Sequence, residues 1–393
     1  MAAILRGLRV LDFGRYIAGP FCAALLGDYG AEVIRVEQPG GGDDRTLLPV
    51  APDGSGALYM QMNRNKRSLT LDPASELGRE VVRRLVARSD VVVANVPETT
   101  LRSMGLDYET LCASRPDVIL TTVSAFGSSG PYRDRVGFDG VGQAMSGAVY
   151  LSGTAEQPYR STISFIDFTT ALASAYGTVL ALLERERTGK GQIVAASLLR
   201  SGLNLSNLFV AEQALVRPNR VATGNRSQSA APADVYRTRD GWIIVAGVGN
   251  RIFKRWTRLV GEEAWAGDPR FANDMARAEQ HETIGARMRA WCAERSNAEA
   301  LAELERARIP AGPVNSPQDV LDDPHVADTG LLERVPYPGV PESVPVAATP
   351  VTLSEHPVSF ERAPQTGEHT DAILAELGYD DAAIAGLRAA AVV

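Results

Sequence analysis

The first 37 residues restrict the fold more than any other part of the chain. Leu8-Arg-Val-Leu-Asp-Phe13 is a short apolar run ending at Gly14 and reads as a strand. Gly19-Pro20 opens a helix that runs through Leu26 and stops at Gly30, with proline near its start. Ala31-Glu-Val-Ile-Arg-Val36 is a second strand, followed by Glu37. A strand–helix–strand unit of this kind requires a parallel sheet, so the fold class is α/β. An acidic residue after the second strand suits a dinucleotide site, but Gly14-Arg-Tyr-Ile-Ala-Gly19 keeps only the outer glycines of that fingerprint. A nicotinamide oxidoreductase is therefore a remote reading.

Further strands follow at Leu69-Thr-Leu71, Asp90–Asn95, Asp117–Val123 and Ile193–Leu199, with a helix over Ser75–Ala87. Asn95 stands at the carboxyl end of its strand, where open α/β sheets bind ligands. The 393 residues suffice for two domains. A formal charge of −7 argues against a general nucleic-acid or anionic-membrane surface, so a polyanionic ligand would need a local basic site. Asn63-Arg-Asn-Lys-Arg-Ser68 offers concentrated charge for phosphate, or a solvated turn before a strand. The glycines of Gly40-Gly-Gly-Asp-Asp44 form a phosphate-binding turn or a flexible connection. Cys22, Cys112 and Cys292 have no metal or disulfide spacing, which suits a reducing cytosol, and no metal site is expected. No signal-peptide core and no apolar run of membrane-span length is read, so the expected location is cytoplasmic.

The chemistry is expected between Gly137 and Val194. This stretch runs through Gly137-Phe-Asp-Gly140, Gln143-Ala-Met-Ser-Gly147 and Ile166-Asp-Phe168, then a long helical pattern, and ends at Thr188-Gly-Lys-Gly-Gln192. Leu172, Ala175, Tyr176, Val179, Leu180 and Leu183 recur at helical spacing, so Asp167 lies where a helix begins and Gly189 just past its end. Asp167 is an N-cap, a carboxylate nucleophile kept ionised by the helix N-terminus, or both.

Beyond Ile193 the pattern is helical over Ser201–Val216, then polar through Gly224–Pro232. Strands over Ala233–Arg237 and Trp242–Ala246 and a charged helical region to Leu304 indicate a small α+β domain. Eleven of the 23 prolines lie between Pro310 and Pro364, a structured connector returning to the first domain, and Gly367-Glu-His-Thr370 precedes a helix over Asp371–Leu377.

The order of GFD, Q-x-x-SG, an isolated aspartate, a long helix and TGKGQ resembles the family III CoA-transferases. The Ala18-Gly19-Pro20 loop, the Asn63–Ser68 run, Ile309-Pro-Ala-Gly-Pro-Val314 and Gly367-Glu-His-Thr370 extend the resemblance over nearly the whole chain. It implies a Rossmann-like large domain built from both chain ends, a smaller α+β middle domain, and an interlocked homodimer. The corresponding divisions are a large domain over 1–200, a linker over 201–227, a small domain over 228–322, a proline-rich linker over 323–352 and a return over 353–393. It implies that Asp167 attacks an acyl-CoA thioester, passing through a mixed anhydride and an aspartyl-CoA thioester to a second carboxylic acid. Coenzyme A is then a substrate and no tightly bound cofactor is expected. The resemblance places Tyr16, Ile17 and Ala18 of the entry loop, Gln38, Leu71, Asn95, Arg102 and Phe138 along the CoA site.

The racemase branch of the family has a histidine where this chain has Phe138, and a glutamate near Gly249-Asn250, where no carboxylate stands. The histidines here (His281, His325, His356, His369) all come late and read as surface or connector residues. Transferase is therefore favoured over racemase, with a catalytically silent CoA-binding module as the other alternative. Arg226-Ser-Gln-Ser-Ala230 replaces the four-glycine run of some formyl-CoA transferases, and Ile17 replaces their glutamine, which disfavours formyl-CoA and oxalate. Arg226 or Arg15 is a candidate partner for a second carboxylate on the acid substrate, or a solvent-facing arginine.

Overall fold

The computed structural model describes residues 3–393. Its main sheet is laid down in chain order by β1 (Arg9–Asp12), α1 (Ala18–Asp28), β2 (Glu32–Glu37), α2 (Ala57–Met62), β3 (Lys66–Thr70), α3 (Glu76–Val86) and β4 (Val91–Ala94). The short helices α4 (Glu98–Ser103) and α5 (Tyr108–Ser114) lead to β5 (Ile119–Ser124). Then come α6 (Asp139–Met145), α7 (Ala148–Leu151), the 24-residue α8 (Phe165–Thr188), β6 (Ile193–Ser197) and α9 (Leu198–Leu215). All six strands are parallel, in the order β3-β2-β1-β4-β5-β6. The order reverses between β1 and β4, so the loop after β1 and the residue after β4 meet at the position where such sheets bind ligands.

Local sequence accounts for these elements. The Ser75 hydroxyl accepts the Gly78 N–H at 3.0 Å to start α3. Gly189, at φ 70°, closes α8 with its N–H on the Arg185 carbonyl at 2.7 Å. The sheet side of α8 is made of small and hydroxylic residues. Thr170, Ser174 and Thr178 return their hydroxyls to the carbonyls four residues earlier, and Thr178 also meets Thr121 of β5 at 2.7 Å. A Cβ on Gly177 would stand 2.8 Å from Val194 of β6, so glycine sets the closeness of this packing.

Four of the apolar residues that recur at helical spacing in α8 point outward. Leu172, Tyr176, Leu180 and Leu183 are 40–68% exposed, whereas Ile166, Thr170, Ala171, Ser174, Thr178, Ala181 and Leu182 are buried. The reading that no segment reaches membrane-span length is corrected too. By length and composition α8 is long and apolar enough, but its buried face packs against α1, β5 and β6 as a core helix.

The described chain divides into two compact units. The first comprises residues 3–148, 161–216 and 329–393; the second comprises 149–160 and 217–328. Residues 149–160 cluster with the second unit, where the Gly224 N–H donates to the Gly153 carbonyl at 2.6 Å. That unit has an antiparallel sheet of β7 (Ala233–Arg237), β8 (Trp242–Ala246) and β9 (Ala311–Pro313). Its helices are α10 (Asn250–Leu259), α11 (Asp274–Glu279), α12 (His281–Ala293) and α13 (Asn297–Arg306), followed by the short α14 (Pro317–Leu321) and α15 (Pro324–Asp328). Phe253, Trp256, Phe271, Met288 and Trp291 fill its separate core.

The return segment adds a hairpin of β10 (Leu332–Val335) and β11 (Val344–Ala347), then α16 (Thr370–Glu376) and α17 (Asp381–Ala389). It closes on β3. His369 is half-buried rather than a free surface residue: its N–H donates to the Ser68 carbonyl at 3.0 Å, and its Nδ1 accepts the Ser68 N–H at 3.2 Å. The large unit is thus assembled from both chain ends.

Candidate active site

The loop between β1 and α1 is held residue by residue. The Gly14 N–H donates to Asp12 Oδ1 at 2.8 Å, the Arg15 N–H to Asn95 Oδ1 at 2.7 Å and the Tyr16 N–H to Asp44 Oδ2 at 3.2 Å. Asn95 Nδ2 donates back to the Arg15 carbonyl at 2.8 Å. Tyr16 takes φ 62°, a left-handed conformation unfavourable for a non-glycine residue, which these partners over-determine. A Cβ on Gly14 would lie 2.6 Å from Pro20 Cδ and 2.7 Å from Asp12 Oδ1.

Beneath the loop lies a buried ion network. Arg35 grips both oxygens of Asp44 at 2.8 and 3.0 Å and reaches the Gly14 carbonyl at 3.4 Å. Arg45 pairs with Glu37 at 2.6 Å, and Lys66 Nζ pairs with Asp12 Oδ2 at 2.7 Å. Burial alone would push the Glu37 carboxyl up. The hydrogen bonds of Arg45 and the charges of Arg35 and Arg45 overcome that and hold it at about 2.

This network corrects the expectation for the Asn63–Ser68 run. Arg64 is fully buried on Asp28 at 2.6 Å, Lys66 is buried on Asp12, and Arg67 pairs with Glu32 and Glu376 at 2.6 and 2.7 Å. These cations are committed to the fold. The Gly40–Asp44 loop likewise passes into a short 3-10 turn over Asp43–Thr46 that delivers Asp44 and Arg45 to the network.

Asp167 lies in the first turn of α8 and does not cap it. The helix begins at Phe165, and Asp139, the first residue of α6, supplies the capping carboxylate. Its Oδ1 accepts the N–H groups of Ile166 at 2.8 Å and Asp167 at 3.1 Å. Its Oδ2 accepts from the Gln143 side-chain amide, whose Oε1 accepts the Ser161 N–H at 2.9 Å. The expected ionisation of Asp167 is corrected as well. Burial, then the negative charge of Asp139, raises its carboxyl to about 7. The helix N-terminus does not compensate, because the acceptor on its first N–H groups is another carboxylate.

The predicted residues separate into three groups. Tyr16, Ala18 and Phe138 gather around the start of α8. The Tyr16 and Phe138 rings meet edge to face at 5.5 Å, and Ala18 packs with Ile166. Phe138 is 67% exposed as the N-cap of α6. Ile17 is buried in the core beneath α1, and Asn95 spends its amide on the loop backbone. Gln38 is exposed just after β2. The Leu71 side chain is fully buried in the core, which leaves only its main chain for a ligand. Arg102 is exposed and paired with Glu98 at 2.9 Å.

In the second unit, Arg226 lines a cleft of about 180 Å³ with Arg289, His281 and Tyr236, and its guanidinium meets the Ser227 carbonyl at 3.5 Å. Asp274 accepts the Gly249 N–H at 2.9 Å and also pairs with Arg277. Among the described residues there is no cluster of three or more metal-ligating side chains. Sequence reasoning missed the roles of Asp139 and Gln143. The signal was an Asp/Gln pair at i, i+4 opening a short helix.

The sequence model of CoA-transferase family III matches residues 5–370. The chain belongs to that family. This family III CoA-transferase is 34% identical to the succinyl-CoA–D-citramalate CoA-transferase of Chloroflexus aurantiacus, covering 95% of this chain and 94% of the relative. It is 35% identical to the succinate–glutarate CoA-transferase of Agrobacterium fabrum, covering 95% of each chain. A crystal structure of a CaiB/BaiF family protein from Brucella suis, 35% identical, superposes with a TM-score of 0.84 over 96% of this chain and 100% of that one.

Proposed function

We propose that this family III CoA-transferase exchanges CoA between succinyl-CoA, or a similar dicarboxylic acyl-CoA, and a second small carboxylic acid, with Asp167 as nucleophile. The observation that carries the reading is the Asp167 carboxyl itself. It is half-buried on the first turn of α8, and no cation offsets it among the described residues. A carboxylate of raised basicity is a stronger nucleophile toward a thioester than an ordinary aspartate, and near pH 7 a large fraction remains ionised. Both relatives named above carry succinate or succinyl-CoA in their names, which supports the donor class.

In the first step an Asp167 oxygen bonds to the thioester carbonyl carbon, the C–S bond breaks, and CoA leaves as thiolate. The thiolate then attacks the aspartyl carbonyl, the anhydride C–O bond breaks, and the first acid departs as carboxylate. The acceptor carboxylate reverses this sequence and leaves as the new thioester. The N–H groups of Ile17, Ala18 and Gly19 find no acceptor among the described residues. They belong to the loop whose Ala18 packs with Ile166, and they are suitable donors to the developing oxyanions. A racemase is disfavoured because Phe138 has no proton to move. A silent CoA-binding module would bind CoA and turn nothing over.

A homodimer is part of the same reading. The outward face of α8, with Leu203, Leu205 and Leu208 of α9 at 41–64% exposure, is a run of large apolar residues suited to a second copy. The three unpaired cysteines suit the cytosol.

The test is intact-protein mass spectrometry after incubation with succinyl-CoA. A CoA-sized adduct that hydroxylamine removes and that Asp167→Asn lacks is the expected result. CoA binding without any adduct would move the silent-module reading ahead.

A further inference from the structure

Asp139 is 5% exposed and Gln143 1% exposed. Three hydrogen bonds satisfy the Asp139 carboxylate, two from the main chain of Ile166 and Asp167 and one from Gln143, and all three donors are neutral. No lysine or arginine pairs with it among the described residues. Elsewhere in this unit buried carboxylates are treated differently: Asp12, Asp28, Glu37 and Asp44 each have a cationic partner. Burying an ion without a counterion is unfavourable, and a second carboxylate nearby makes it more so.

We propose that Asp139, oriented by Gln143, is the positioning residue for Asp167: one oxygen fixes its turn, and the unpaired buried charge favours every state in which Asp167 is neutral. This rests on the reading of Asp167 as nucleophile. Whenever Asp167 is ionised in the free enzyme, its negative charge lies beside that of Asp139. Attack on the thioester moves one charge onto the departing thiolate, and in both the anhydride and the aspartyl-CoA thioester Asp167 is uncharged. Repulsion in the free enzyme is thus relieved by covalent chemistry, and the thioester intermediate is held at a higher level than an isolated aspartate would allow.

Other groups near α8 do not supply this effect. Of the elements packed against it, β5 and β6 carry no charged side chain, α1 carries Asp28, already paired with Arg64, and the buried Cys22 thiol, and α9 carries Arg200 and Glu212. The entry loop brings Arg15 and Tyr16. Among all of these and α6, the charge of Asp139 is the one that acts on Asp167.

The test compares the full-length wild type with Asp139→Asn and Asp139→Ser, using succinyl-CoA and intact-mass readout of the hydroxylamine-labile adduct across pH. Asparagine keeps an oxygen for the Ile166 and Asp167 N–H groups but removes the charge. The expected result is a fall of about tenfold in the equilibrium ratio of adduct to free enzyme, matching a decrease of roughly one pH unit in the carboxyl's proton affinity. The acidic limb of adduct formation should move down from near pH 7 by the same amount. Serine, smaller and also neutral, should show the same shift of limb, so a folding defect in one variant leaves the other to decide. An unchanged adduct ratio and an unmoved limb in either folded variant would overturn the proposal and leave Asp139 as a cap only. A wild type that forms no adduct overturns the nucleophile reading, and this proposal with it.

Discussion

Replacing Arg35 by methionine tests whether the buried ion network holds the entry loop. Arg35 is 1% exposed and Asp44 2% exposed. The substitution removes both contacts to Asp44, the 3.6 Å approach to Glu37 and the bonds to Asn63 and the Gly14 carbonyl. The consequences differ for the two acids. Glu37 keeps Arg45 at 2.6 Å and the Ser68 hydroxyl at 2.7 Å. Asp44 keeps only the Tyr16 N–H at 3.2 Å and becomes a buried charge without a counterion. Breaking one side of a buried pair costs about 3–5 kcal/mol. At roughly 2–4 °C per kcal/mol for a unit of this size, the melting temperature should fall by on the order of 10 °C. The double variant Arg35→Met/Asp44→Asn keeps an acceptor for Tyr16 but leaves no stranded charge, so it should be the more stable of the two. Differential scanning fluorimetry gives the ranking, and the KM for acyl-CoA reports the loop. A single variant within about 1 kcal/mol of wild type, or a double variant no more stable than the single one, would refute the reasoning.

Three further outcomes follow from the same geometry. Glu37, held at about 2 in the folded chain against an ordinary 4.5, contributes stability that is fully present above the ordinary value and is lost as pH falls toward 2. The total is about 3 kcal/mol, and Glu37→Gln should flatten that part of the acid-unfolding curve measured by circular dichroism. Gly14→Ala places a methyl group against Pro20 and Asp12. It should raise the KM for acyl-CoA at least tenfold while the second unit's melting transition, followed by tryptophan fluorescence, stays in place. If α8 and α9 bury their outward faces against a second copy, light scattering will give a mass near 84 kDa, twice the 42.0 kDa chain, and Leu180→Glu/Leu183→Glu will reduce it.

The parts of the fold legible in the sequence are those governed by local pattern. The strands Ala233–Arg237 and Trp242–Ala246 were readable from alternation and a turn at Arg239-Asp-Gly241. The βαβ opening followed from its glycines and proline. What a residue's type could not convey was its partner. Arg64, Lys66 and Arg67 look like a phosphate site because charge in sequence implies solvent or ligand. Their carboxylates come from positions 12, 28, 32 and 376, which no local pattern connects to them. The buried face of α8 is not legible for a related reason. Periodicity finds the larger apolar stripe, whereas this helix lays its small, hydroxylic stripe on the sheet. The cap of α8 was equally hidden, because its carboxylate is supplied 28 residues upstream of Asp167.

The two sides of the candidate site follow opposite electrostatic rules, and each suits its task. If the entry loop receives acyl-CoA as proposed, it must hold one backbone geometry, including a left-handed tyrosine, while substrate comes and goes. Paired buried ions do this well, since any movement of Gly14 or Tyr16 breaks hydrogen bonds to groups that cannot be resolvated. As the proposed nucleophile, Asp167 must instead pass easily between charged and neutral states. A cation beside Asp139 would remove its contribution to the raised Asp167 carboxyl, leaving that of burial, and so make the anion more stable and a weaker nucleophile toward a thioester. Leaving Asp139 without one costs some folding stability, and well-paired acids elsewhere in the unit can offset that. Introducing a cation by Gln143→Lys should therefore stabilise the fold and slow acylation together. A variant that gained stability with undiminished acylation would show that the unpaired carboxylate has no part in the chemistry.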